Sequence, residues 1–216
     1  MIDFILNFDA HLTGFVQNYG TLTYGILFAI IFAETGLVVT PFLPGDSLLF
    51  AAGALAATGV LSIEIIFVSL VIAAVIGDAV NYAIGRRLAH TFLDDVPDSG
   101  WIYRVVKREH VIRAHDFFEK HGGKAVVLAR FVPIVRTFVP FVAGGAKMTY
   151  RTFALYNVTG AILWVGICAG AGYLFGNIPV VKENFELVVI GIIAVSMLPI
   201  VFEVFKSWRQ PGAERA

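Results

Sequence analysis

The sequence is short of cysteine, of charge and, over its first 85 residues, of any basic side chain. One cysteine, Cys168, stands among 216 residues. A single thiol excludes a disulfide framework and a metal site built on cysteines, and within an apolar run it reads as small buried filler. Charged residues make up 15% of the chain against 58% hydrophobic. That is too little polar surface to keep a soluble domain of this length dispersed. Residues 1–85 hold no Lys or Arg. The N-terminus therefore lacks the positive flank of a secretory signal, carries Asp3 and Asp9 instead, and shows no sign of cleavage. No block of like charge resembles a nucleic-acid-binding tail, so no nucleic-acid partner is expected. Catalytic patterns are missing too. There is no H-E-x-x-H helix, no G-x-S-x-G turn, and no histidine inside an apolar block to take a phosphoryl group. The expectation is a protein that is not an enzyme and needs no cofactor.

What is present is apolar sequence in long blocks, at about 21–58, 62–85, 125–146 and 152–206, the last divided near 177–184. A helix that crosses a membrane needs ~20 predominantly apolar residues. Stretches 62–85, 152–176 and 185–205 meet that requirement, with Asp78 inside the first. The other two blocks are interrupted. Glu34, Gly36, Pro41, Pro44, Gly45 and Asp46 punctuate 21–58, and Arg130, Pro133, Arg136, Pro140, Gly144 and Gly145 punctuate 125–146. Proline removes a backbone donor and clashes with the preceding turn, and glycine loosens the helix further. Each block reads as two short helices flanking a break. Broken backbone at membrane depth persists only when buried in protein or lining a wet cavity. Both blocks are therefore expected to be re-entrant hairpins, at about 21–58 and 122–148.

The halves echo each other. Glu34 and Pro44 precede Arg130 and Pro140 by 96 residues, and Tyr82 and Gly85 precede Tyr173 and Gly176 by 91. One hairpin plus one crossing per half makes the second copy inverted. The expected fold is an all-α polytopic membrane protein: an inverted repeat of hairpin plus transmembrane helix, with an additional C-terminal transmembrane helix. Residues 1–20 would form an interfacial segment, 21–206 the membrane domain and 207–216 a cytoplasmic tail. Eight of the 16 Lys and Arg residues lie between Arg86 and Lys124. The positive-inside rule therefore puts connector 86–124 in the cytoplasm. Within it, 104–121 is expected to be a surface helix whose apolar residues do not gather on a clean face. His110, His115 and His121, spaced five and six apart, do not share a face and read as solvated histidines rather than metal ligands.

Four charges fall where lipid should be: Glu34, Asp46, Arg130 and Arg136. Each costs ~2.5–3.5 kcal/mol at a helix centre on insertion scales. They must pair, meet water or bind something charged. On one continuous helix the two arginines would point ~120° apart, but Pro133 between them lets a hairpin turn both into one cavity. A guanidinium grips phosphate bidentately and does not escape its cost by losing its charge, so Arg130 and Arg136 are the candidate anion site. Glu34 and Asp46 can protonate, which is the chemistry of a proton-coupled step. Two bland readings stand beside these: Asp46 as a helix N-cap, and Glu34 with the arginines as a salt-bridge cluster locking the hairpins together. Asp78, Asn81, Tyr82 and Gly85 share one helical face, read as tight packing and interhelical hydrogen bonding that supports the site. Gly166, Gly170, Gly172 and Gly176 read as close-packing surfaces.

The stretch E-T-G-L-V-V-T-P-F-L-P-G-D-S-L-L at 34–49, G-D-x-x-N-Y-x-x-G-R at 77–86 and R-F-V-P-I-V-R-T-F-V-P-F-V-A-G at 130–144 resemble the DedA family. That family is related to VTT-domain lipid scramblases, and the resemblance covers about residues 20–205. It implies two opposed re-entrant hairpins in a bacterial inner-membrane protein and transport of lipid. The implied cargo is a phosphate-bearing lipid such as undecaprenyl phosphate. The resemblance also implies proton coupling through membrane-embedded acidic and arginine residues, which Glu34, Asp46, Arg130 and Arg136 match. The expected partners are thus an anionic membrane lipid and protons, and a homo-oligomer is compatible with them. Two alternatives remain open here: a phospholipid scramblase, and a proton-coupled exchanger of small cations or drugs using the same carboxylates.

Overall fold

A computed structural model of the chain describes residues 8–36, 45–93 and 108–183. All regular structure among them is helical: α1 (Phe8–Gly36), α2 (Gly45–Ala57), α3 (Ile63–Leu93), α4 (Arg108–His121), α5 (Ala125–Leu128), α6 (Pro133–Gly145), α7 (Tyr150–Gly176) and α8 (Pro179–Glu183). Single 3-10 turns lie at Gly122–Lys124 and Ala129–Phe131. The crossings expected at 62–85 and 152–176 fall within α3 and α7. By length and composition, Ile63–Arg87 and Tyr150–Gly176 suffice to cross a membrane. Residues 8–20 continue into 21–36 as one helix, so no helix boundary separates the expected N-terminal segment from the first block. The break expected around Pro41 and Pro44, the crossing at 185–205 and the tail at 207–216 lie outside the described residues.

The chain divides into two compact units. The first comprises Met1–Gly20, Pro44–Ser62 and Cys168–Ala216. Its described packing is a seam of small residues between α2 and the end of α7. A Cβ on Gly53 would fall on the Ala169 carbonyl, and one on Gly172 on the Phe50 carbonyl. The backbones touch, as expected where helices associate without a hydrophobic driving force. Phe50 and Phe175 close the seam at 5.5 Å between ring centroids. Of the four glycines read as packing surfaces, Gly172 and Gly176 fit that role closely. Gly166 makes only ordinary contact with Phe67, and a Cβ on Gly170 would meet nothing within 4 Å.

The second unit comprises Thr21–Leu43 and Ile63–Ile167, and α3 runs through it. Ile65, Val68, Ile72, Ile76 and Val80 line its exposed side, while Leu70, Ala73, Asp78, Asn81 and Tyr82 are buried. The polar side chains are inside and the large apolar ones outside, the reverse of a helix bathed in water. Helix α7 repeats this, with Leu155, Val158, Ile162 and Leu163 exposed and Asn157 and Trp164 buried. Gly77 meets Gly36 of α1, and Gly85 and Gly144 bring α3 and α6 into backbone contact at Phe141 and Tyr82.

Helix α6 also lies against α4. The sequence suggested no clean apolar face on the 104–121 stretch. The helix instead covers Arg108–His121 and buries Ala114 and Phe118, one turn apart, in a core with Ala125, Phe138, Val139 and Phe141. Two residues at i and i+4 suffice because the covered strip is one turn wide. In the 125–146 block the expected break is present. Val132 is extended (φ −118°, ψ 104°) between the 3-10 turn and α6, and Pro133 opens α6. Proline disfavours helical backbone in the residue before it and suits the first helical position. Before the break, Gly123 sits against Tyr156 and Met148, where a Cβ would come 3.2 Å from the Met148 methyl carbon. The block is thus two helical stretches with a bend at Val132.

Candidate functional site

The arginines flank this bend. Arg130 stands in the 3-10 turn before it and Arg136 in the first turn of α6 after it. Each meets a carboxylate from a different helix. Arg130 Nη2 donates to Asp78 Oδ2 of α3 at 2.6 Å and to Asn157 Oδ1 of α7 at 2.6 Å. Arg136 Nη2 donates to Glu34 Oε1 near the end of α1. Arg130 and Glu34 are almost wholly buried, at 4% and 1% exposure. Neither pair lies at a surface where water would screen it.

Amides complete the frame. Asn157 donates from Nδ2 to the Val75 carbonyl at 3.0 Å, tying α7 to α3. Asn81 donates to the carbonyls of Thr35 (3.3 Å) and Thr137 (2.7 Å), bridging α1 and α6. The Thr35 carbonyl is among the last of α1, which lack donors within their helix. Pro140 inside α6 likewise removes the donor its Arg136 carbonyl would use, and the neighbouring Thr137 carbonyl takes the Asn81 amide. One indole serves both cations. The guanidinium carbons of Arg130 and Arg136 lie over Trp164 at 5.7 and 5.3 Å from its ring centroid. Gly160, one turn before Trp164, leaves room for Arg130: a Cβ there would come 3.0 Å from its Cδ. Arg130 Nε and Asn81 Oδ1 are buried and have no hydrogen-bond partner among the described residues.

The residues expected from sequence are placed unevenly. Glu34, Arg130, Arg136, Asp78 and Asn81 come together in the second unit. Tyr82, on the same face of α3, is buried one turn further along and donates to the Met148 carbonyl. Asp46 belongs to the first unit. It is exposed in the first turn of α2, which begins at Gly45. The carboxylate that meets Arg130 is Asp78, which the sequence suggested only as a packing residue. Asn157, Trp164, Thr35 and Thr137 were not anticipated. Asn157 carried a usable signal, because a lone amide in an apolar crossing has to face protein. Cys168, expected as buried filler, is only half-buried.

Helices with apolar exteriors and ion pairs sealed among them define a polytopic membrane protein. The VTT domain matches residues 43–174. The chain is 54% identical over 211 residues to Protein DedA of Escherichia coli (strain K12), covering 97% of this chain and 94% of that protein. It is 41% identical to an uncharacterized membrane protein of Mycobacterium leprae (strain TN), over 83% of this chain and 78% of that one. It is 36% identical to the inner membrane protein YqjA of E. coli (strain K12), over 85% and 80% of the two chains. The chain belongs to the DedA family of VTT-domain membrane proteins. No solved structure matches it.

Proposed function

We propose that this protein transports phosphate-bearing lipids across the inner membrane, undecaprenyl phosphate first among them, with proton coupling. The observation that carries this reading is the Arg136–Glu34 pair: an anion-binding side chain and a titratable one, buried beside a helix break. In this reading 21–58 and 122–148 are re-entrant hairpins of an inverted repeat. The membrane domain is 21–206, residues 1–20 lie at the interface and 207–216 in the cytoplasm.

The exchange follows from charge. A phosphate reaching Arg136 competes with Glu34 for the same donors. Protonation of Glu34 removes its charge and weakens its hold, and the guanidinium turns to the phosphate. When the proton leaves, the carboxylate reclaims the arginine and the lipid is expelled. Arg130 keeps its Asp78 partner through this cycle and offers its unsatisfied Nε as a further donor. The prenyl or acyl tail stays in the bilayer, against the apolar exteriors of α3 and α7. Asp46, exposed at the start of α2, would act as a second proton-handling group. The protein would work without catalysis, alone or as a homo-oligomer.

The test is reconstitution into liposomes containing undecaprenyl phosphate, with movement between leaflets measured under an imposed pH gradient. Wild type should move the lipid, Arg136→Ala should abolish movement, and Glu34→Gln should retain movement that no longer responds to the gradient. Wild-type rates in the Arg130→Ala, Arg136→Ala double variant would sink the proposal. Gradient-driven movement of cations with no movement of lipid would replace it with the exchanger reading.

A further inference from the structure

A second group of cations lies apart from the buried arginines, where the membrane-length part of α3 ends and α7 begins. Arg86 closes the apolar span of α3, Lys147 follows α6, and Arg151 stands in the first turn of α7. All three are exposed, and none has a carboxylate partner among the described residues. Their backbones are held together. Gly144 packs against the Arg86 amide, and the Tyr82 hydroxyl donates to the Met148 carbonyl. Arg86 Nη1 donates to the same hydroxyl at 3.1 Å, and Tyr150, itself half exposed, packs against the Tyr82 ring at 5.8 Å. The described carboxylates of neighbouring α4, Asp116 and Glu119, face solvent without pairing to these cations.

The backbone of Lys147 adds to this. Its amide donates to Gly144 and that of Met148 to Ala143, a helix-ending motif that normally places glycine where Lys147 stands. Lys147 holds φ 57°, a left-handed conformation that costs L side chains. A strained residue kept where glycine would be easier points to a use for its side chain.

The position of these cations in the membrane selects their partner. They cap two membrane-length helices and stand beside an exposed tyrosine, which is the setting of lipid head groups. We infer that Arg86, Lys147, Arg151 and Tyr150 form a binding site for the phosphodiester head group of an anionic phospholipid in that leaflet. This lipid is a resident partner, distinct from any transported cargo. Its phosphate would take the free donors of Arg86 and Arg151 with Lys147 as a point charge, while Tyr150 packs on the glycerol region.

The full chain is placed in nanodiscs of phosphatidylcholine alone, or with a fraction of phosphatidylglycerol. The midpoint of thermal unfolding and the phosphatidylglycerol retained on extraction are then measured. Wild type should gain stability from the anionic lipid and retain it, less so in high salt. Lys147→Gly should be at least as stable as wild type in phosphatidylcholine, yet hold phosphatidylglycerol about fivefold more weakly, the weight of one cation at an anionic surface. Arg86→Gln with Arg151→Gln should lose most of the retention. Arg136→Ala should leave it unchanged. An anionic-lipid effect that is absent in wild type, survives undiminished in both Lys147→Gly and the Arg86→Gln, Arg151→Gln variant, or disappears in Arg136→Ala would overturn the assignment.

Discussion

At the scale of single residues, the two ion pairs are alike in chemistry and unlike in use. Arg130 is clasped by Asp78 and Asn157, rests on Trp164 and crosses α7 at Gly160. Removing one partner of such a pair leaves a buried charge without compensation, at a cost of about 3–5 kcal/mol. Asp78→Asn is therefore expected to lower the unfolding midpoint in lipid nanodiscs sharply. The joint change Asp78→Leu with Arg130→Met should be much milder, since no charge is then stranded. Gly160→Ala would press a methyl group onto the Arg130 side chain. It should reduce lipid transport while leaving the helical circular-dichroism signal in place. Glu34→Gln removes the charge facing Arg136 in a pair that is likewise buried, so it too is expected to lower the unfolding midpoint, and on the proposed mechanism it should flatten the response of transport to pH. A pH response lost in Glu34→Gln and kept in the Asp78→Leu, Arg130→Met variant would place the titrating group at the Arg136–Glu34 pair.

Helices in this protein meet by omission of side chains. Gly85 and Gly144 allow α3 and α6 to touch backbone to backbone, and Gly53 and Gly172 do so between α2 and the end of α7. A methyl group at Gly85 would strike the Phe141 carbonyl, which does not swing aside as a side chain would. Gly85→Ala should cost about 1–3 kcal/mol, as overpacking does. Gly170→Ala, with open space around it, should be neutral or gain up to about 1 kcal/mol from helix propensity. Parallel unfolding curves of the two variants test this contrast. The elements themselves were largely legible in the sequence, because apolar runs of crossing length and the proline that follows Val132 state their own boundaries. Which helix each charge would meet was not legible. Asp78 and Arg130 lie 52 residues apart, and nothing local to either segment names the other. The face of α4 was missed because burying Ala114 and Phe118 needs only one turn of contact, too little to dominate an 18-residue window.

The molecule as a whole is polarised against its surroundings. Among the described residues, each of the two membrane-length helices turns large aliphatic side chains outward and its polar ones inward. A charge on that outer surface would face hydrocarbon instead of a partner. Ile76→Lys or Ile162→Lys, exposed near the middle of the two spans, should thus lower insertion by about 2.5–3.5 kcal/mol each, read as the fraction of chain integrated into membranes. The same lysine at exposed Ile112 of α4, outside both crossings, should have little effect.

Trp164 gives these arrangements an optical consequence. The sequence has three tryptophans, at 101, 164 and 208, so replacing Trp101 and Trp208 with phenylalanine leaves one emitter between two guanidinium groups. The emission of an indole shifts with the charge held against its ring. Departure of Arg136 toward a phosphate would therefore change the colour of the emitted light at that instant. In that variant Trp164 would serve as a gauge of whether the Arg136–Glu34 pair opens, readable in real time without an added label.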